Sequence, residues 1–232
     1  MRETYDNHIV PQWYLNQWAG EDQLLRVMHK PTGRMFAQTS ANVCYEKELY
    51  TDLCEKAFAS IEGEFMAFWK APEEFIADPE GRFQLLRFII QLAARQPRNV
   101  KRLLKHFSER SVGCLAPQLT EAVIWSDSAV PSFSEHSWIL FKSERRLLHT
   151  SECAVAVLDT DPEGGSGQAI YFPISPSKGL LIHRFPVLKH GWFPLTEDKA
   201  TVFNGQLLDL TKTHVVFGQD TPEYLSITPR YR

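Results

Sequence analysis

The chain has 232 residues, enough for one domain, or one with a small subdomain, and for a core of its own. With 44% hydrophobic and 23% charged residues it is neither disordered, collagen-like nor coiled-coil. A net charge of −3 gives no global attraction to nucleic acid or membrane.

No apolar run approaches the ~20 residues of a membrane span. Residues 1–13 lack the apolar stretch of a secretory signal. Cys44, Cys54, Cys114 and Cys153 show neither CxxC nor metal-finger spacing. They read as reduced thiols of a cytoplasmic protein.

Residues 5–20 are aromatic and polar, and Pro11 suits the opening of a short helical turn. A hairpin follows: residues 24–30 read as a strand, Pro31-Thr32-Gly33 as its turn and residues 34–38 as the return. Residues 39–51 have mixed signals and read as a turn with a short irregular segment. Residues 52–70 form an amphipathic helix capped by Asp52, with Ala57, Phe58, Ile61, Phe65, Phe68 and Trp69 on one arc and Pro72 just past its end. Pro79-Glu80-Gly81 opens a second long helix that runs to about Arg95. Pro97 and Asn99 interrupt it before a third helix over 98–110, and residues 117–125 read as one more.

From residue 137 the pattern becomes strand-like: 137–142, 147–150, 154–158, 169–173, 179–182 and 214–218, with a flexible loop over 159–167. Helices followed by strands predict an α+β fold: an N-terminal hairpin, a central bundle of three to four helices and a mainly antiparallel C-terminal sheet. The expectation is a single domain over 1–232, helical to about 126 and β-rich from about 137.

Charge divides sharply. Residues 46–80 carry ten acids and three bases, whereas residues 82–110 carry eight bases and one acid. Two readings stand. Neighbouring helices attract one another through surface pairs, or Arg98, Lys101, Arg102 and Lys105 of the 98–105 helix face the backbone of a nucleic acid.

On the second long helix, apolar residues cover most of the circumference. Gln84, Arg87, Gln91 and Arg95 fill the remaining narrow arc. Such a stripe faces solvent at an edge, or lines a site and needs partners. Glu55 and Glu62 share one face of the preceding helix, and Glu62 opposite Arg95 or Arg87 makes a charge-assisted pair. His8 is either a structural hydrogen-bonding residue or, oriented by an acid, a general base.

His8-Ile9-Val10-Pro11 followed by Trp13-Tyr14-Leu15 resembles the HYVP signature of a largely bacterial family, domain of unknown function 4238; Ile9 stands where that signature has tyrosine. The resemblance extends through Lys30-Pro31-Thr32-Gly33, Glu46 ahead of Leu49-Tyr50, Ile61-Glu62, and Gln91, Arg95 and Pro97. Later it covers Thr150-Ser151-Glu152-Cys153-Ala154, Tyr171-Phe172-Pro173-Ile174-Ser175-Pro176 and Asn204. Glu152 and Ala154 replace the family's Asp and Pro, so the charge stands about one methylene further out. The resemblance implies no established activity.

The polar residues of these motifs suit a hydrolase acting on a phosphate ester or amide. His8, Glu46, Glu62, Gln91, Arg95 and Glu152 form the candidate catalytic set, with His8 as base or ligand and Arg95 holding an anion. Arg87, Arg98, Arg102, Ser151 and Ser175 are candidates for substrate binding. Glu46, Glu62 and Glu152 are oxygen donors suited to Mg²⁺ or Mn²⁺, although no metal site is assigned. No HExxH, GxSxG, Walker loop or GxGxxG is present. Glu152 and Ser175 can equally cap turns.

Two function classes follow. One is a cytoplasmic hydrolase, nuclease-like, of a phage-defence or toxin type. The other is a non-enzymatic binding or regulatory module in which the same residues form a buried network. Nucleic acid, a partner protein or a second copy of the chain are the partner classes considered, with no membrane partner. On the hydrolase reading, His8→Ala and Arg95→Ala abolish activity with the fold intact.

Overall fold

The computed structural model describes residues 6–47, 49, 52–66, 71–96, 99, 136–159, 168–183 and 191–221. The expected helices over 98–110 and 117–125, the basic run with Arg98 and Arg102, and most of the 159–167 loop lie outside the described residues. The fold is α+β, with the N-terminal hairpin, the two long helices after it and the mainly antiparallel C-terminal sheet as expected. The chain divides into two compact units, Met1–Ile9 with Glu46–Glu135, and Val10–Tyr45 with His136–Arg232. Among the described residues, no helix is long and apolar enough to cross a membrane.

The helical unit begins on a two-stranded ribbon, in which β1 (Asp6–His8) pairs with β4 (Tyr45–Lys47). Neither strand stands out in the sequence, because three residues are too few to show alternation. Helix α2 (Asp52–Phe65) packs on α4 (Pro79–Ala94), with Phe65 stacked on Phe88 at 4.0 Å between ring centroids. Phe58, Ile61 and Phe65 of the expected arc are buried, as are Leu85, Phe88, Ile89 and Leu92 of α4.

The N-terminus of α4 is set locally. Asp78 accepts a hydrogen bond from the Gly81 N–H at 3.1 Å, and Pro79 occupies the first turn, where its missing N–H does no harm. A short helix, α3 (Pro72–Ala77), precedes it where the sequence suggested only a helix end. Pro72 and the acids Glu73 and Glu74 are its start signals. Gly81 is the contact point between them, since a Cβ there would lie 2.1 Å from the Phe75 carbonyl oxygen.

The β-rich unit contains two sheets. The larger has the order β10 (Trp192–Pro194), β5 (Ser137–Lys142), β9 (Lys178–His183), β8 (Gln168–Ser175), β7 (Ala156–Asp159). All its pairs are antiparallel except β10 with β5.

The smaller sheet places the hairpin strands β3 (Arg34–Gln38) and β2 (Leu25–His29) beside β11 (His214–Val216) and β6 (Thr150–Ser151). Gly33 closes the hairpin at φ +65°, a conformation that favours glycine. The hairpin, an N-terminal feature in sequence, therefore pairs with the closing strand through His214↔His29, Val215↔Met28 and Val216↔Val27. Just before it, α1 (Gln12–Leu15), capped by Pro11, buries Tyr14 and Leu15. The Tyr14 hydroxyl donates to the Pro173 carbonyl at 2.6 Å and shares a hydrogen bond with Thr150 Oγ1 at 3.0 Å.

Helix α5 (Glu197–Leu210) was not anticipated among the strands. Thr196 caps it by accepting from the Lys199 N–H, and Glu197 and Asp198 fill its first turn. Ala200, Phe203 and Leu207, spaced for one helical face, pack into a core with Phe141, Leu148 and Tyr171. Phe203 stacks on Tyr171 at 4.3 Å.

The 147–150 run is a strand only at its end, and the reason is its hydrogen bonding. The His149 N–H donates to Asn204 Oδ1 at 2.8 Å, and Asn204 Nδ2 donates to the Leu147 carbonyl at 2.9 Å. The Leu148 N–H donates to the Pro176 carbonyl, and Trp18 Nε1 to the Leu148 carbonyl. The Asn204 and Trp18 side chains and a single backbone carbonyl thus replace a ladder partner along this stretch.

Candidate functional site

Three residues of the polar stripe, Arg87, Gln91 and Arg95, meet α2, whereas Gln84 bonds to Glu80 of its own helix. Arg95, the C-cap of α4, is 2% exposed and donates from Nη2 to Glu62 Oε1 at 2.5 Å. Its guanidinium lies 4.1 Å from the centroid of the Phe58 ring, a cation–π arrangement. One turn earlier, Gln91 Nε2 donates to the Phe58 carbonyl at 3.4 Å. Arg87 pairs with Glu64 at 3.6 Å near the surface. Of the two partners the sequence left open for Glu62, Arg95 and Arg87, the structure pairs it with Arg95. The pair is strong because both groups are charged and largely withdrawn from water.

The Glu62 side chain is 17% exposed, so the pair reaches solvent on its carboxylate side. Two buried polar atoms of the seam, Arg95 Nε and Gln91 Oε1, have no hydrogen-bond partner among the described residues. Such atoms are uncommon in proteins. In the same unit, His8 and Glu46 occupy the two strands of the ribbon, and both are half-buried.

Ser151, Glu152 and Ser175 belong to the β-rich unit, and their geometry is that of turns. Glu152 is 3% exposed. Its Oε1 accepts from the Lys212 N–H at 2.5 Å and the Thr213 N–H at 2.7 Å, and its Oε2 accepts from the His214 N–H at 2.8 Å. The carboxylate is therefore committed to the backbone between α5 and β11. Lys30, from the hairpin turn, works on the other side of the same junction. Its Nζ donates to the carbonyls of Leu208 and Thr211 at 2.6 and 2.9 Å, where a cation suits the helix C-terminus. Ser151 Oγ accepts from the Cys153 N–H, and Ser175 Oγ from the Ser177 N–H.

No three His, Cys, Asp or Glu side chains come together as a metal site among the described residues. The carboxylates of Glu46, Glu62 and Glu152 thus form no such donor set. Cys44 and Cys153 are buried thiols outside any disulfide, and burial pushes the Cys44 thiol well up, against a nucleophilic role.

The β-rich unit also contains a cavity of about 330 Å³ that the sequence reading missed. His149 and Asn204 line it, with Leu147 and Leu208 as apolar wall and Glu197 and Asp220 as acids. Asn204 was visible only as part of a family motif. His149 was hidden in an apolar run. The His149 ring sits edge-on to Phe217 at 4.7 Å, and burial lowers its pKa to about 3.

This has a consequence for stability. An unfolded histidine binds its proton near pH 6.5, whereas folded His149 binds it only near 3. Between these values the unfolded chain holds the extra proton, so stability falls as pH drops from 6.5 towards 3, by about 1.4 kcal/mol per unit. His149→Phe is expected to remove that slope in urea unfolding at pH 4.5, 5.5 and 6.5. Equal slopes in both proteins would contradict it.

The family model described as "Protein of unknown function (DUF4238)" matches residues 6–221, and the chain belongs to that family. No curated protein and no solved structure matches it.

Proposed function

We propose, starting from a family whose description assigns no activity, that the helical unit is a nuclease-like hydrolase whose working carboxylate is Glu62. The observation that carries the reading is the unequal burial of the Glu62–Arg95 pair: a sealed guanidinium holds a carboxylate that reaches solvent. Arg95 is then a positioning residue rather than an anion clamp. It holds Glu62 oriented through the hydrogen bond from Nη2 to Oε1.

His8 and Glu46, on the ribbon of the same unit, supply the further acid–base groups. RNA is the substrate that this inventory fits best, because its 2′-hydroxyl is a built-in nucleophile. In this reaction a base takes the 2′-hydroxyl proton as the oxygen attacks phosphorus. An acid returns a proton to the departing 5′-oxygen, leaving a 2′,3′-cyclic phosphate. The basic run of Arg98, Lys101, Arg102 and Lys105 supplies phosphate contacts in this reading. A defence or toxin role in the cytoplasm is the setting such an activity fits, and the thiols Cys44 and Cys153, outside any disulfide, are in keeping with it.

A second reading is favoured by one observation: Gln91 and Arg95 are each 2% exposed, as members of a sealed structural network would be. In that case the chain is a binding or regulatory module. Incubation with tRNA, single-stranded RNA and plasmid DNA, each with and without Mg²⁺ or Mn²⁺, separates the two. The hydrolase reading expects RNA cleavage with cyclic-phosphate ends, reduced at least 100-fold in His8→Ala and Glu62→Gln with circular dichroism unchanged. No cleavage of any substrate, or full activity in both variants, overturns it in favour of the module.

A further inference from the structure

The cavity of the β-rich unit is independent of that reading and has a chemistry of its own. It opens beside α5 and the 145–149 segment, with a volume at the small end of ligand sites. Among the described residues its one cationic lining residue is already occupied: Arg145 forms an ion pair with Glu197 and also donates to the Asp220 carbonyl. Asp220 uses Oδ2 to accept from the Arg146 N–H at 2.6 Å, and among the described residues nothing donates to its Oδ1. With Arg145 set against Glu197, the surplus charge of the lining is negative, a poor environment for an anion and a good one for a cation.

The body of the cavity is apolar, formed by Leu147, Ala200 and Leu208. Gly205 also lines it, although this residue lies in the interior of α5. A Cβ at that position would meet nothing within 4 Å. Glycine weakens a helix interior relative to alanine, and neither packing nor a positive φ requires it here. What the missing side chain provides is open space against the cavity.

We propose that this cavity binds a small amphipathic amine, its ammonium set against Asp220 and its apolar body against Leu147, Ala200 and Leu208 beside Gly205. His149, kept neutral by burial, adds no repelling charge to the lining.

The test uses the full chain and two matched series in isothermal titration: tryptamine, tryptophol and indole-3-acetate, and hexylamine, hexanol and hexanoate. The expected result is saturable binding of an amine, at least tenfold tighter than its alcohol and with no detectable binding of its acid. Asp220→Asn is expected to weaken the amine about tenfold, since its amide oxygen can still accept from the Arg146 N–H. Gly205→Leu should abolish binding while the melting temperature holds or rises. Gly63→Ala, a second helix-interior glycine with open space around it, should leave binding unchanged. The proposal is overturned if neither amine binds, if alcohol or acid binds as well as amine, or if Gly205→Leu binds normally.

Discussion

Glu62→Ala is expected to destabilise the helical unit by about 3–5 kcal/mol, because it leaves a guanidinium buried without its counter-ion. Arg95 is 2% exposed, and arginine cannot shed its proton to escape the penalty. The contact with the Phe58 ring offsets only a fraction of it. Arg95→Ala is the milder change on the electrostatic side, since Glu62 is partly exposed and can be hydrated. Its loss is chiefly one of packing, about 2 kcal/mol.

The expectation that Arg95→Ala leaves the fold untouched is thereby revised, and an activity test is better served by Glu62→Gln. Replacing both partners, as Glu62→Leu with Arg95→Met, should return stability to within about 1 kcal/mol of the parent, since an apolar pair of similar volume avoids the desolvation cost. A double-mutant cycle in urea measures the coupling directly. A loss below about 1 kcal/mol for Glu62→Ala would mean that the pair is not buried in solution.

Glu152→Ala should cost the β-rich unit about 3–4 kcal/mol, less than the simple sum for three charge-assisted bonds at about 1.5–3 kcal/mol each. The sum overstates the loss because Lys212 and Thr213 are exposed residues whose N–H groups can turn to water. Glu152→Gln keeps one acceptor oxygen but places an amide where an acceptor is needed, and should lose about half as much. Glu152→Asp keeps the charge but falls short by one methylene, which bears on the acid of the related family motif. Hydrogen exchange of the Lys212, Thr213 and His214 amides is the specific readout. Protection in Glu152→Ala equal to that of the parent would remove the anchoring role.

How much of this was legible in the chain depends on how far each interaction reaches. The hairpin could be read because its strands and its Pro31-Thr32-Gly33 turn are contiguous. The α4 helix could be read from Pro79-Glu80-Gly81 and an apolar run broken only by Gln84, Arg87, Gln91 and Arg95. The Glu62–Arg95 pair was within reach because two amphipathic helices with complementary charge leave few ways to face one another. Helix α5 was missed although Thr196, Glu197 and the spacing of Ala200, Phe203 and Leu207 announce it, since Thr201, Val202 and Gly205 dilute the local helix preference.

Glu152 was not legible as an anchor. Its partners lie 60 to 62 residues away, and a carboxylate looks the same in sequence whether it serves a substrate or a backbone.

By itself, then, the sequence determined the α+β class, the faces of α2 and α4, the hairpin and most strands of the larger sheet, all features that follow from side-chain periodicity and turn chemistry within a few residues. Only the tertiary structure decided that β11 enters between β2 and β6, that Lys30 and Glu152 meet the two sides of one helix end, and that Asn204 holds the segment beside the cavity. The physical reason is common to all three. Every buried backbone N–H and carbonyl must find a partner, and where no neighbour in sequence can serve, the partner is chosen by the fold.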